Sequence, residues 1–323
     1  MNRFVVLAIV SVLADFPFLQ PAAAETWPDQ PIHIVVPFTP GSATDVVARI
    51  VAAEMTKNLG QPIIVDNRSG AGGTIGAGQV ARAEPGGYTL LANSSAHTVN
   101  PAIFPDMTFD TRVDLRAITL LAQQPNILVA APSKGWKSAV DFANAARAEP
   151  GKITYATAGT GSGTHMNAEK FRLSAGIGAV HVPYRGTPEA LRDTMNGVTD
   201  LCFCPIVGAL PMIKQGRVVA LANGSPMRSS VLPGLSTTEE QGFADSGYTF
   251  WVGLFAPAGT PRKVIDRLNA EARRALEAPE VRARLQALGT DPSPTTSQEL
   301  EWRVKQERRD NMELAKKADI RLQ

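Results

Sequence analysis

Short apolar runs alternate along this chain with longer segments in which apolar residues recur every three or four positions. The runs 32-IHIVV-36, 62-PIIVDN-67, 88-YTLLAN-93, 127-ILVAA-131, 152-KITYAT-157, 179-AVHVPY-184, 199-TDLCF-203 and 217-RVVALAN-223 have the length and β-branched content of strands. Between them, 45–59, 74–83, 138–148, 164–175, 187–196 and 208–215 show helical periodicity, and glycines close or follow several of them, at Gly60, Gly151, Gly176, Gly197 and Gly216. This alternation predicts an α/β fold, a mostly parallel sheet with helices on both faces. Beyond about Ser225 the texture changes. A Pro- and Gly-punctuated stretch carries an expected helix start at 236-STTEEQG-242, followed by an aromatic strand, 248-YTFWVGLFAP-257. Thr260 and Pro261 then read as N-cap and first residue of a helix over 261–278, with two more helices near 279–289 and 297–317.

The first residues follow a different pattern. Arg3, the apolar run 4-FVVLAIVSVLA-14 and the small residues 22-AAA-24 before Glu25 have the three parts of a cleavable export signal. Eleven apolar residues are too few for a permanent membrane helix, and no later segment approaches the ~20 needed, so the processed chain is expected to be exported and soluble. The chain has 323 residues, 44% of them hydrophobic and 19% charged, enough for two lobes that each bury a core. A net charge of +2, with cations interspersed among acids, and only 6% aromatic residues argue against a nucleic-acid partner. Cys202 and Cys204 are the only cysteines. On a regular strand their Cα atoms would lie ~6.5 Å apart with parallel side chains, so they are expected to stay unpaired and buried, with Cys204 able to line a cleft.

The candidate chemistry lies in loops. In 36-VPFTPGSATD-45 a strand leaves through residues with almost no bulk and enters a helix at once. Such a unit exposes backbone N–H groups at the positive end of a helix, a setting suited to an anion, although an ordinary βα turn has the same outline. The stretch 153-ITYATAGTGSGTHMNAE-169 repeats the plan, with Gly159 lying 118 positions after Gly41. Two such loops, one per lobe, could face each other across a crevice at the carboxyl ends of strands. Enzyme motifs fail on spacing. Thr160 and Thr164 stand where a G-x-S-x-G elbow around Ser162 needs glycine, Thr164 also breaks a G-x-G-x-x-G loop, and no Walker-type loop occurs. His33, His97, His165 and His181 are scattered without metal-ligand spacing. His33 reads as structural, whereas His97 and His165 could either pack or face a cleft. The glycines of 69-SGAGGTIGAG-78 read best as close backbone packing. Asp45 has two readings: it accepts N–H bonds from its own loop, or it receives a ligand ammonium.

Taken together, 36-VPFTPGSATDVVAR-49, 66-DNRSGAGGTIGAG-78, 152-KITYATAGTGSGTHMNAE-169, 180-VHVPYRGTPEAL-191 and 250-FWVGLFAPAGTP-261 resemble the tripartite tricarboxylate transporter solute receptors, the Bug-type receptors, over essentially the whole processed chain. The resemblance implies a type II periplasmic binding protein: two α/β lobes joined by crossing strands, with a ligand cleft between them. It divides the chain into a signal peptide over 1–24, a first lobe over 25–124, a second over 125–225, and a return to the first over 226–323. It implies a small organic carboxylate as ligand, membrane subunits of a tripartite transporter as partners, a periplasmic monomer, and no cofactor or metal. Carried onto this chain, the ligand-binding positions are Phe38, Thr39, Gly41, Ser42, Ala43, Thr44 and Asp45, then Ser94 and Ser95, then Gly159, Thr160, Gly161, Ser162 and His165, with Cys204 beside them. Ser42 stands where the family usually has a second glycine, and Cys204 where it often has a polar residue. Two competing readings remain at this level. One is a periplasmic hydrolase using Ser162 or Cys204 with His165 as base; the other is a ligand-dependent partner of a membrane sensor.

Overall fold

A computed structural model of the chain describes residues 27–104 and 106–320. The leader expected over 1–24, with cleavage before Glu25, lies outside these described residues. In chain order the elements of the first part are β1 (Ile32–Val36), α1 (Ala43–Leu59), β2 (Ile63–Asn67), α2 (Thr74–Ala81), β3 (Thr89–Ser94), α3 (Asn100–Ile103) and β4 (Leu115–Ala130). There follow α4 (Ala139–Ala148), β5 (Thr154–Thr157), α5 (Gly163–Ala175), β6 (Val180–Pro183), α6 (Thr187–Met195), β7 (Leu201–Pro205), α7 (Ile206–Lys214) and β8 (Val219–Asn223). The chain closes with β9 (Thr249–Pro257), α8 (Arg262–Glu277), α9 (Pro279–Ala287), β10 (Asp291–Pro292) and α10 (Ser297–Lys317).

The strands form one curled sheet in the order β2-β1-β3-β9-β4-β7-β5-β6, with β8 and β10 also on β4. Its two wings share a plan. In one, β1 runs parallel to β2 and β3 on either side; in the other, β5 runs parallel to β6 and β7. Antiparallel β9 extends the first wing from β3, and antiparallel β4 extends the second from β7. Strand β4 joins the wings: from Leu115 to Pro125 it pairs with β9, and from Asn126 to Ala130 with β7 and β8. Each wing is covered on both faces by helices, as burial of near-continuous apolar strands requires.

Helix α1 shows how the sequence produces this packing. Val47, Ile50, Val51 and Met55 recur at helical spacing, are each at most 3% exposed, and pack with Ile34 and Leu90 of the sheet and Leu268 of α8. Burying each stabilises the wing by about 1.5–3 kcal/mol. On the opposite face Val35 and Leu91 meet Ala77 and Val80 of α2 and Leu300 of α10. The second wing repeats the arrangement, with Phe142 of α4 and Phe171 of α5 on one face and Leu191 of α6 and Leu210 of α7 on the other.

Four expectations are corrected here. The strand expected at 127–131 is the end of β4, which begins at Leu115; Gln123, Gln124 and Pro125 interrupt its apolar pattern where it passes between the wings. Residues 236–242 form turns rather than a helix, although Glu240 N donates to Thr237 Oγ1 as a capping residue would accept it. Helix α8 begins one residue later than expected, with Pro261 as its cap. The cysteines are also corrected. Cys202 and Cys204 form a disulfide, their Cα atoms only 5.6 Å apart rather than at the full two-residue spacing of an extended strand, which brings both sulfurs within bonding reach. The bridge is buried against Ile127, Val129 and Ile206. Cys204 therefore belongs to the core and presents no thiol.

Candidate functional site

Strands β1 and β5 are each the middle of three parallel strands, so the loops leaving their carboxyl ends sit where the chain order switches sides, the usual ligand position in open α/β sheets. Both loops have one frame, Gly41-Ser42-Ala43-Thr44-Asp45 and Gly161-Ser162-Gly163-Thr164-His165. Gly41 has φ 79° and Gly161 φ 77°, a left-handed conformation that favours glycine. Ser42 (φ −64°, ψ 159°) and Ser162 (φ −70°, ψ 159°) are the N-caps, accepting from Asp45 N at 3.4 Å and His165 N at 3.2 Å. In each loop the glycine amide donates to the side chain four residues on: Gly41 N to Asp45 Oδ2 at 2.9 Å, Gly161 N to His165 Nδ1 at 3.1 Å. The expected echo therefore exists in a shifted frame. Gly41 matches Gly161, not Gly159.

These bonds decide which donors are left for a ligand. The cap serine serves the third amide of each helix, and the glycine amide is taken by Asp45 or His165. The first two amides, of Ala43 and Thr44 in α1 and of Gly163 and Thr164 in α5, have no intrahelical acceptor. These four residues line one small cavity between the wings, about 10 Å³, room for a single water-sized sphere. Phe38, Ser42, Ser94 and Ser162 complete the polar and apolar walls that the sequence pointed to; Ala158, Thr187, Pro205 and Phe250 are additions. No charged side chain lines it. Negative charge there would meet two helix N-termini and four N–H groups.

Asp45 does not face this cavity as a free carboxylate. It is 3% exposed and accepts from Gly41 N, from Arg49 Nε at 3.0 Å and from Asn67 Nδ2 at 2.9 Å. Burial pushes its carboxyl up, but the bonds from Arg49, Gly41 and Asn67 outweigh this and hold it below the ordinary carboxylate range. Arg49 neutralises the charge, so Asp45 fixes the loop without repelling an anion.

His165 lies beneath the second loop, 3% exposed, its ring stacked on His181 with centroids 4.0 Å apart. Burial, with help from the positive charge of Arg172, pushes its pKa down to about 3, and burial together with His165 does the same to His181. The Ser162 hydroxyl pairs with Thr164 Oγ1 at 2.9 Å and caps the helix, while the His165 ring accepts from the Gly161 amide. Ser162 and His165 thus have no nucleophile–base hydrogen bond, and the imidazole is a poor base near neutral pH. His97 is also buried, stacked on Phe255 at 4.0 Å in the first wing, away from the inner cavity.

The remaining candidates lie at the seam between the wings. Thr39 Oγ1 donates to Glu189 Oε2 of α6 at 3.0 Å. Ser95 Oγ packs so closely on Gly163 that a Cβ there would lie 2.4 Å from it. Gly159 and Thr160 line a second, outer cavity with Gly72 and Arg185, and the Thr160 carbonyl is 2.2 Å from where a Gly72 Cβ would stand. Of the residues missed in the sequence, Gly163, Thr164 and Thr187 carried a signal, since each lies at a strand–loop–helix junction. Phe250 of β9 carried none; its place at the seam depends on long-range pairing. Among the described residues, no group of three His, Cys, Asp or Glu side chains converges as a metal site.

Residues 47–320 match the family model described as the tripartite tricarboxylate transporter family receptor. Among curated relatives, BugT of Bordetella pertussis is 33% identical over 295 residues, covering 90% of each chain. The structure of the periplasmic binding protein BugD superposes with a TM-score of 0.88 at 31% identity, covering 92% of this chain and 100% of that one. MatC of Rhodopseudomonas palustris with bound malate gives 0.85 at 33% identity, covering 89% and 99%. R. palustris Rpa4515 with adipate gives 0.88 at 30%, covering 91% and 99%. The mixed α/β sheet described above is the fold of these periplasmic binding proteins.

Proposed function

The chain belongs to the tripartite tricarboxylate transporter receptor family, and on that premise we propose that it captures a small organic carboxylate between its two wings and hands it to the membrane subunits of a tripartite transporter. One observation carries this reading: Ala43, Thr44, Gly163 and Thr164, whose amides have no intrahelical acceptor at two helix N-termini, all line one cavity without charged side chains. The malate and adipate held by two similar proteins fit the same ligand class. Four charge-assisted hydrogen bonds at about 1.5–3 kcal/mol each would supply roughly 6–12 kcal/mol, a range that spans the roughly 8 kcal/mol of micromolar binding, so the upper half of it is needed to meet the cost of closing the wings as well.

The reading includes a working division into a first lobe over 25–124 and 226–323 and a second over 125–225. The change of β4 partners between Pro125 and Asn126 supports it. It also includes export as a periplasmic monomer after loss of residues 1–24. The buried Cys202–Cys204 bridge suits an oxidising compartment, and no helix among the described residues is long and apolar enough to cross a membrane. The hydrolase reading loses its groups, since Cys204 is bridged and Ser162 and His165 are both engaged in building the loop.

Calorimetric and thermal-shift titration with mono-, di- and tricarboxylates and amino acids tests the proposal. A bound carboxylate at ~100 times its dissociation constant should stabilise the protein by about 2.7 kcal/mol. Stabilisation by amino acids alone, or by no acid in the series, would overturn it.

A further inference from the structure

The outer cavity, about 280 Å³, lies against the same second-wing loop as the inner one and shares Ala158 with it. Phe38 stands between the two spaces: it lines the inner cavity, and its ring tip is 3.4 Å from where a Cβ on Gly73, in the outer wall, would be. The outer walls come from both wings, with Gly72 and Phe104 on one side and Thr160 and Tyr184 on the other. Its one charged lining residue is Arg185. This side chain is exposed and has no ion pair among the described residues. Its nearest acids in sequence are otherwise engaged: Glu189 accepts from Thr39 Oγ1 at 3.0 Å, and Asp193 accepts from Tyr184 Oη at 2.7 Å and Arg192 Nε at 3.0 Å.

An uncompensated guanidinium on an otherwise neutral wall, beside a cavity that takes one carboxylate, provides a second, separate anion contact. We propose that Arg185 receives the distal carboxylate of a dicarboxylate whose first carboxylate sits between the helix N-termini. This rests on the carboxylate reading above and narrows it: the receptor selects diacids over monoacids, and Arg185 sets that selection. The planar guanidinium matches a carboxylate bidentately, which an ammonium cannot reproduce. Reaching both contacts in the closed protein requires the Phe38 ring to turn aside from between the two spaces, which share Ala158 in their walls.

The test uses the intact processed protein and calorimetry with linear diacids of four to eight carbons, aromatic diacids, and the monoacid of matching length for each. Wild type should bind its best diacid at least about tenfold more tightly than the matching monoacid, the discrimination expected of one charge-assisted contact. Arg185→Gln should bring that ratio close to one by weakening the diacid, and Arg185→Lys should restore only part of it. A ratio unchanged in Arg185→Gln would overturn the assignment, as would equal weakening of both acids, which marks a general field effect. Both of those results leave the carboxylate reading standing. Wild type that binds no acid in the series would instead sink that reading, and this inference with it.

Discussion

Ser42 and Ser162 use their hydroxyls in the same way, each accepting from the third amide of a helix whose first two residues line the cavity. Replacing either with alanine should destabilise the protein by about 1 kcal/mol in urea unfolding, the usual loss of a helix cap, without abolishing ligand binding. A larger effect on affinity than on stability would show that the hydroxyl, and not the amides it arranges, contacts the ligand. Three imidazoles make a second residue-scale prediction. His97, His165 and His181 have pKa values near 3 in the folded protein, chiefly through burial, against 6.5 when unexposed to it. Below pH 6.5 the unfolded chain therefore binds more protons, and stability is lost as pH falls from there towards 3, by up to about 1.4 kcal/mol per pH unit per imidazole. Unfolding midpoints should drop between pH 7 and pH 5, and His97→Phe should flatten that slope by about one proton. A slope near zero in the wild type would contradict the burial assigned to these rings. The sequence pointed to both serines as ligand-binding positions and not as helix caps, because the capping bond depends on the extended backbone each adopts before its helix. The His165–His181 stack was not legible either, since sequence spacing carries no record of two rings meeting across strands.

At the scale of elements, the two strand–loop–helix units were readable from local pattern alone: an apolar run, small residues, then helical periodicity. Their exact frame was not. Three glycines fall within 159-GTGSG-163, and only the positive φ of Gly161 together with the capping by Ser162 selects the pairing with Gly41. Strand β4 was half missed because Gln123 to Pro125 look like a break, whereas those residues mark the passage between the wings of one sheet. The disulfide was missed for a related reason, since a regular strand was assumed where the chain is contracted. The seam between wings adds a prediction of its own. Thr39 Oγ1 donates to Glu189 Oε2 from the loop of α1 to the first turn of α6. Thr39→Val should leave a partly buried carboxylate without this donor and weaken ligand binding about tenfold, mainly through faster release. Stopped-flow dissociation rates would check it; an unchanged rate would mean that this contact takes no part in closure.

At the scale of the whole molecule, function follows from two similar wings brought face to face by a sheet that bends along β4. Fold class and the strand–small loop–helix form of both units could be read from the sequence. Which donors remain available could not, because that depends on where every other amide in the loops goes. Closure itself is most directly tested at Gly163. This residue is the first of α5, and its helical backbone accepts a side chain. A Cβ added there would nevertheless lie 2.4 Å from Ser95 Oγ and 2.9 Å from the Phe250 ring, both on the opposite wing. Gly163→Ala should therefore fold normally, since alanine favours a helix, yet hold the wings apart at the place where both pairs of amides meet the ligand. The decisive measurement is a calorimetric titration of wild type and Gly163→Ala with the best-bound carboxylate, alongside the unfolding midpoint of each free protein. The predicted result is at least about a tenfold loss of affinity with a midpoint close to wild type, whereas equal affinity in the two proteins would contradict capture between the two helix N-termini.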